Sequence, residues 1–405
     1  MKAPGWAFPG PYTRHFAAKT LPPRMTSPEN CRPFRSAAIA AVMTALALLG
    51  IVALIAFLGL NPERASAFPP NTKFLSPTGS NTNPGTEAAP WRTIPKAVSA
   101  AQPGMTIVLE PGTYGARGTT IFLDRSGTSS APITFMGYPG KDKPTILGFF
   151  RITGHDLRFD HLFFNGPTGQ IRPITADNPK GEQVQVSIRN DRVWITGSVI
   201  RNNDWHAGIY VHGADGFRIL RNYIHDNGDD GACCYELQKN SSHGIYVDSG
   251  SGVIANNVIQ HNLARGVQLH PNAHGVVVKE NTIVFNRQSG VQIGKYSANN
   301  TIANNIVAFN ASYSIRSYRL TGAGNSVIRN VACCSAYPLG TLTRGLTLTD
   351  NIEAAPRFVS GSDYHLQTNS PAIDQANLSY VAAQDFDGLP RPQRASYDIG
   401  AFEAP

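Results

Sequence analysis

Four side chains that could move a proton beside a carboxylate lie between His243 and His270. Histidine changes its charge near neutral pH, so His243 or His270 could accept a proton, with Asp248 orienting the ring. Arg265 could neutralise a carboxylate on the reacting molecule. The same residue types would also suit the solvated outer face of an ordinary strand, and the sequence alone leaves that alternative open.

These residues belong to a repeat of glycine, apolar residue, variable residue and apolar residue. It begins at Gly208 (GIYV), Gly244 (GIYV), Gly266 (GVQL) and Gly290 (GVQI), and Ser314 (SIRS) takes the next slot. The last three steps are 22, 24 and 24 residues, whereas the first is 36, which indicates an insertion before His243. Two series of asparagines keep the same register: Asn222, Asn257, Asn281, Asn305, Asn330 and Asn203, Asn227, Asn262, Asn286, Asn310.

Short alternating apolar stretches separated by Gly, Asn and Asp are typical of parallel strands coiled into a solenoid. The units lack the leucine pattern and the helical half of a leucine-rich repeat. Asparagine tolerates left-handed turns, and its amide can bond the asparagine of the next coil. We therefore predict one stack of Asn257, Asn281, Asn305 and Asn330, and an interior that contains Val267, Leu269, Val291 and Ile293.

Successive coils are about 4.8 Å apart, so equivalent residues form rows on the outer face. The row two residues after each glycine is predicted to bind the ligand, and it holds Tyr210, Tyr246, Gln268, Gln292 and Arg316. The row four residues after the glycine holds His212, Asp248, His270, Gly294 and Tyr318. The row directly before the glycine holds Ala207, His243, Arg265, Ser289 and Tyr313. The predicted catalytic group is His243, Arg265, His270 and Asp248.

The segment SPTGSNTNPGTEAAPWRTIPKAVSAAQPGMTIVLEPGTY (76–114) resembles the opening of exported bacterial right-handed parallel β-helix proteins of the pectate-lyase-like superfamily. The ending DYHLQTNSPAIDQA (363–376) with DIGAFE (398–403) is similar to the C-terminal segment of such proteins. The resemblance covers residues 74–403. It implies an all-β, right-handed parallel β-helix solenoid, and the spacing of apolar residues at 91–101 predicts an N-terminal capping helix.

This architecture hosts lyases, hydrolases, epimerases and proteins without a known reaction. The alginate-epimerase branch carries Asp-Pro-His on a central coil, whereas residues 269–271 read Leu-His-Pro. No pair of aspartates of the kind found in pectin hydrolases is evident. The sequence therefore predicts an exported polysaccharide-binding or polysaccharide-modifying protein, lyase-like on an acidic glycan. The alternative is a non-catalytic cell-surface or adhesion protein on a β-helix scaffold.

No metal site is assigned. His212, Asp248 and His270 point in parallel from one row, so they should not converge on zinc. The insertion offers Asp226, Asp229, Asp230 and Glu236 as oxygen ligands, and several related lyases use calcium, so calcium is the one cofactor left open beside a polar solvated loop.

Residues 37–60 contain no charged residue and are long enough to cross a bilayer as a helix. Six basic residues and one acidic residue, Glu29, precede this segment. An excess of positive charge on the N-terminal side predicts a cytoplasmic N-terminus and an exported body. Residues 65–67 (ASA) could mark a cleavage site that ends at Ala67, so an anchor and a signal peptide both stay open.

The expected domains are a basic cytoplasmic segment at 1–36, a transmembrane helix or signal anchor at 37–60, a linker and entry segment at 61–90, the β-helix at 91–350 and a closing segment at 351–405. Residues 61–405 carry 29 basic and 26 acidic groups. This nearly neutral balance gives no indication of nucleic-acid binding. We expect a polysaccharide partner and a monomer. Two vicinal cysteine pairs, Cys233–Cys234 and Cys333–Cys334, fall in the exported part, where disulfides can form.

Overall fold

A computed structural model of the chain describes residues 68–166, 186–203, 206–228, 241–319, 321–337, 339 and 341–405. These residues form 25 strands and one α-helix. The first ten strands are β1 (Thr72–Leu75), β2 (Thr106–Leu109), β3 (Thr113–Leu123), β4 (Ile133–Gly137), β5 (Thr145–Ile152), β6 (Leu157–Asp160), β7 (Phe163–Asn165), β8 (Val186–Ile188), β9 (Val193–Thr196) and β10 (Val199–Arg201). The next eight are β11 (Ile209–Val211), β12 (Ala214–Leu220), β13 (Tyr223–His225), β14 (Ile245–Ala255), β15 (Val258–Gln260), β16 (Val267–Ala273), β17 (Val277–Lys279) and β18 (Thr282–Val284). The last seven are β19 (Val291–Gly294), β20 (Thr301–Ala303), β21 (Ile306–Ala308), β22 (Ile315–Tyr318), β23 (Asn325–Ile328), β24 (Val331–Cys333) and β25 (Leu346–Thr349).

All strand pairings are parallel and fall into three series, which we call sheets I, II and III. Sheet I runs β1, β2, β4, β6, β9, β12, β14, β17, β20, β23, β25. Sheet II runs β3, β5, β7, β10, β13, β15, β18, β21, β24. Sheet III runs β3, β5, β8, β11, β14, β16, β19, β22. Each coil of the chain therefore contributes to each sheet in turn, as the repeat predicted.

The interior is apolar where the repeat predicted it. Val267, Leu269, Val291 and Ile293 are fully buried, and β14, β16 and β19 pair Ile245 with Val267 and Val267 with Val291. Each inward residue therefore packs on its equivalent one coil away, which removes apolar surface from water along the whole solenoid.

The asparagine stack runs through the corner between sheets I and II. The side-chain Nδ2 of Asn257 donates to Asn281 Oδ1, Asn281 to Asn305 and Asn305 to Asn330, each at 2.9 Å. Asn222 extends the stack at one end and Asn351 at the other. A second stack of Asn227, Asn262, Asn286 and Asn310 runs between sheets II and III. The predicted stack is confirmed, and the second series of asparagines forms a stack as well.

The left-handed turns lie one residue earlier than the sequence suggested. The residue before each stacked asparagine has positive φ, for example Asn256 (53°), Glu280 (52°) and Asn304 (55°). The corner is thus made by the preceding residue, which aims the next side chain inward. The amide of the stacked asparagine accepts a hydrogen bond from one coil and donates one to the next. The left-handed position before it accepts several residue types.

Helix α1 (Ile94–Ala100) lies at the predicted position. Thr93 caps it by accepting a hydrogen bond from the Lys96 backbone N–H, and Ile94, Ala97 and Val98 are buried. The helix contacts β1 and β3; that it closes the end of the solenoid stays a prediction. Among the described residues no helix is long and apolar enough to span a bilayer. Residues 37–60 lie outside them, so the membrane prediction is not tested there.

The segment after β25 packs on the outer face of sheet II. Tyr364, Leu366 and Phe402 form one buried cluster with Val258 and Val331 of that sheet. Arg391, fully buried in its side chain, donates to Glu403 Oε1 at 2.7 Å. This closing segment covers sheet II, and the ligand-facing predictions therefore concern sheet III. On β24 and the turn after it, Cys333 and Cys334 form a disulfide bond; Cys31, Cys233 and Cys234 lie outside the described residues.

Candidate functional site

The predicted binding row exists on sheet III. Strand pairing aligns Tyr210 with Tyr246, Tyr246 with Gln268, Gln268 with Gln292 and Gln292 with Arg316. The row continues in the N-terminal direction through Ser187 and Arg151, which the sequence analysis did not include. The period of the repeat was enough to align the later coils, whereas the earlier coils are too irregular in sequence to be aligned by it.

Gln292 holds two arginines together. Its Oε1 atom accepts a hydrogen bond from Arg265 Nε at 3.1 Å and another from Arg316 Nε at 2.7 Å. Its Nε2 donates to Gln268 Oε1 at 3.0 Å, which fixes the orientation of the amide. The arrangement brings two guanidinium groups to one neutral oxygen, and guanidinium groups match the geometry of a carboxylate.

The electrostatics of this pair favour an anionic ligand. Burial first, and then the charge of Arg316, lower the pKa of Arg265 to about 10. Two cations that destabilise each other are stabilised when a carboxylate binds between them. Arg316 also lies over the Tyr313 and Tyr318 rings, at 4.9 and 5.4 Å from their centroids.

The binding row is more buried than an outward-facing row was expected to be. Tyr210, Gln268 and Gln292 are buried, with Gln292 only 2% exposed. The reason is that coils 4.8 Å apart bring these long side chains into contact, and their amides bond to each other and to the arginines. Tyr246 and Arg316 remain partly exposed and form the accessible part of the row, and Arg265 of the neighbouring row is partly exposed as well.

His243 is buried, with 3% of its surface exposed, and its Nδ1 accepts a hydrogen bond from the Arg265 backbone N–H at 3.3 Å. Burial first, then the charge of Arg265, lowers its pKa well below the usual 6.5, so the ring is neutral at neutral pH. A neutral imidazole whose Nδ1 accepts must carry its proton on Nε2. His243 is thus a hydrogen-bond donor at Nε2.

His270 is partly exposed on β16, and its ring lies 6.3 Å from that of Tyr318. Burial and the charge of Lys295 lower its pKa, while Asp248 acts in the opposite direction. Gly294 makes room for the ring, because a Cβ at that position would lie 2.7 Å from His270 Cδ2. His270 is therefore a neutral histidine with access to a ligand, as a proton acceptor requires.

Asp248 contacts a different histidine from the ones proposed. Its Oδ2 accepts a hydrogen bond from Tyr210 Oη at 3.0 Å and pairs with His212 Nδ1. Its influence on His270 is electrostatic. The row four residues after each glycine brings His212 and Asp248 into contact, as the coil spacing predicted, whereas no hydrogen bond joins Asp248 to His243 or His270 in the described part of the chain.

The sequence analysis missed His206. Its ring stacks on Tyr246 with centroids 5.5 Å apart and lies 6.5 Å from His243. Burial lowers its pKa to about 4, and within the described residues its Nδ1 is buried without a hydrogen-bond partner. The sequence did contain a signal for it. His206 lies two residues before Gly208, next to the row that contains His243.

Among the residues that the structure describes, no group of three or more His, Cys, Asp or Glu side chains could hold a metal ion. Asp226, one of the four suggested calcium ligands, pairs with His225 Nδ1 at 2.7 Å. Asp229, Asp230 and Glu236 lie outside the described residues. No chemical step is derived through a metal.

The profile "Pel9A-like, right handed beta helix region" matches residues 73–251, and the profile "Right handed beta helix region" matches residues 234–370. The crystal structure of pectate lyase Pel9A covers 82% of this chain and 96% of its own, with a TM-score of 0.54 at 16% identity. The chain is a pectate-lyase-like right-handed β-helix protein. This fold agrees with the three parallel sheets, and the low identity limits the structural likeness to the fold.

Two curated relatives of this β-helix protein are more similar in sequence over shorter stretches. Pectate lyase PEL9 of Emericella nidulans is 41% identical over 212 residues, which are 49% of this chain and 47% of the relative. The uncharacterized protein YwoF of Bacillus subtilis is 38% identical over 69 residues, which are 17% of this chain and 14% of the relative. The chain thus spans about half of the length of PEL9 and a smaller share of the length of YwoF.

Proposed function

We propose that this protein cleaves a uronate-bearing polysaccharide by β-elimination on sheet III. The observation that carries the proposal is the single oxygen of Gln292 that holds Arg265 and Arg316 together. Two oriented guanidinium groups beside a neutral histidine suit a substrate whose reactive carbon is next to a carboxylate. The likeness to a pectate lyase over 212 residues supports the same class of substrate.

In this mechanism Arg265 and Arg316 bind the carboxylate of one sugar and stabilise the negative charge that develops when its C5 proton leaves. His270 takes that proton, since its lowered pKa keeps it neutral. The electron pair of the C5–H bond forms the C4–C5 double bond, and the C4–O4 bond breaks. The O4 leaving group then takes a proton, which gives two shorter chains, one with an unsaturated end.

His243 has a supporting role in the proposal. Because its Nδ1 is occupied by the Arg265 backbone N–H, its Nε2 carries a proton and cannot serve as the base. It fixes the backbone from which Arg265 projects. Tyr246, partly exposed and stacked on His206, offers an aromatic edge to a neighbouring sugar.

The test is to incubate the protein with polygalacturonate, alginate and other uronate polymers and to follow the ultraviolet absorbance of unsaturated ends. We expect Arg265→Ala to weaken binding, most at low salt, where the ionic interaction is least screened. His270→Ala should abolish turnover and leave affinity largely intact. Arg329→Ala is the matched control, because it removes an arginine that pairs with Asp350 away from sheet III.

If the protein binds such a polymer without releasing unsaturated ends, the non-catalytic glycan-binding alternative holds. If Arg265→Ala and His270→Ala both act like the Arg329→Ala control on every polymer that is cleaved, the site lies elsewhere.

We also propose that the β-helix is exported, with residues 37–60 as an anchor or a signal peptide that is cleaved after Ala67. The support is the uncharged segment and the basic residues before it. Protease added to intact cells should digest the β-helix or find it already released, and complete protection would contradict export. A mature N-terminus at Phe68 would identify a signal peptide.

A further inference from the structure

Sheet I carries a basic and aromatic row that the reaction on sheet III does not use. Strand pairing places Arg158 of β6 next to Trp194 of β9, and Trp194 next to Arg218 of β12. Arg158 and Trp194 are partly exposed, and Arg218 is exposed. We call these three residues the arginine–tryptophan surface.

Trp194 lies between the two arginines. The guanidinium carbon of Arg158 is 4.3 Å from the centroid of the indole ring, and that of Arg218 is 4.5 Å from it. A guanidinium group that stacks on an aromatic ring keeps its N–H edge available for a carboxylate. The ring therefore acts as a spacer between two anion-binding groups, whose guanidinium carbons lie at most 8.8 Å apart.

Within the described residues neither Arg158 nor Arg218 makes an ion pair, and the indole ring is the partner of both. The nearby carboxylate is already occupied: Asp156 Oδ1 and Oδ2 accept from Arg192 Nε and Nη2 at 2.7 and 2.9 Å. That bidentate pair, together with His155, lowers the pKa of Asp156 and keeps it ionised and bound to its own partners.

A depression adjoins the arginine–tryptophan surface. It has a volume of about 310 Å³, and its lining includes Pro132, Arg192 and Phe217 besides the three residues of the surface. An extended chain could lie in it, with its anionic groups toward Arg158 and Arg218.

We propose that the arginine–tryptophan surface is a second, non-catalytic binding site for an acidic polysaccharide. The inference rests on the proposed function for the identity of the polymer. The spacing of the two guanidinium groups is close to the length of a disaccharide, so they would bind carboxylates on alternate sugars of a polyuronate. A site on another sheet from the reaction would retain a long polymer between cleavage events, because two linked sites hold one chain more tightly than either alone.

The test compares Arg158→Gln/Arg218→Gln with Arg329→Gln/Arg344→Gln, a control that removes the same charge elsewhere. The affinity of each purified protein for long polygalacturonate and for a galacturonate trimer is measured at fixed salt. We expect the first variant to bind the long polymer about tenfold more weakly than the control, with binding and cleavage of the trimer unchanged. Trp194→Phe, which keeps an aromatic spacer, should retain most of the affinity.

Equal affinity of the two double variants for the long polymer would overturn the inference. Stronger competition by duplex DNA than by polygalacturonate would also overturn it, because the surface would then be a nucleic-acid site. A parent protein that binds polygalacturonate through these arginines but releases no unsaturated ends would support the second site and refute the proposed function. Cleavage of the polymer with no effect of Arg158→Gln/Arg218→Gln would do the reverse. A parent protein that binds none of the uronate polymers overturns both.

Discussion

Replacing Asn305 by alanine tests how much the asparagine stack stabilises the solenoid. Asn305 is fully buried, and its side chain makes five hydrogen bonds. In Asn305→Ala all five are lost, and the backbone N–H of Asn281 loses the oxygen that it bonds at 3.0 Å. At about 1 kcal/mol net for each bond, with a further 1–3 kcal/mol for a buried N–H left unpaired, we expect a loss of about 5 kcal/mol or more.

Asn351 is the matched control, because it ends the same stack and is only partly buried. Water can replace its partners, so Asn351→Ala should lose about 1 kcal/mol. The free energy of unfolding is measured by urea denaturation followed by circular dichroism, at unchanged m-value. Equal losses in the two variants, or a loss below about 1.5 kcal/mol for Asn305→Ala, would refute the view that these amides hold the coils together.

Three further predictions concern the core and the site. Val291→Asp should give no soluble folded protein, since an unpaired charge would enter a fully buried position, whereas a cooperative melting transition of this variant would contradict the register. Gly294→Ala should lower turnover more than affinity, because the new Cβ displaces the His270 ring; unchanged turnover would argue against His270. The rate should be lost as the pH falls through the lowered pKa of His270, below 6.5. Lys295→Gln removes a charge that lowers this pKa and should move the acid limb up by about half a pH unit, and Asp248→Asn should move it down; shifts in the same direction would exclude His270 as the titrating base.

The sequence predicted the coils because their signal is local and repeated. The repeated motif, at steps of 22 and 24 residues, aligned Tyr246, Gln268, Gln292 and Arg316 in one row, and strand pairing confirms this row. Spacing could not reveal the burial of Gln292, since burial depends on how the side chains of three neighbouring coils bond to one another.

Other features depend on contacts between distant parts of the chain. The Oη of Tyr364 bonds to the side chain of Gln260, and Arg391 bonds to Asn256, both more than a hundred residues away. No periodicity encodes such pairs, so the sequence analysis placed a closing segment at 351–405 but not the sheet that it covers. The partner of Asp248 was assigned wrongly because its row places a histidine on either side, His212 and His270, and coil spacing does not choose between them.

The asparagine stacks also determine how this protein can change length during evolution. The amide of each rung bonds the asparagine of the coil before it and of the coil after it, so a whole coil can be gained or lost without leaving an unpaired amide. A partial coil cannot be gained or lost in this way. Extra residues instead enter the sequence between corners, as the insertion between Asn227 and His243 does. One added coil lengthens the row on sheet III by about 4.8 Å, close to the length of one sugar residue. The repertoire of polymers open to descendants of this chain would then change in steps of a single sugar.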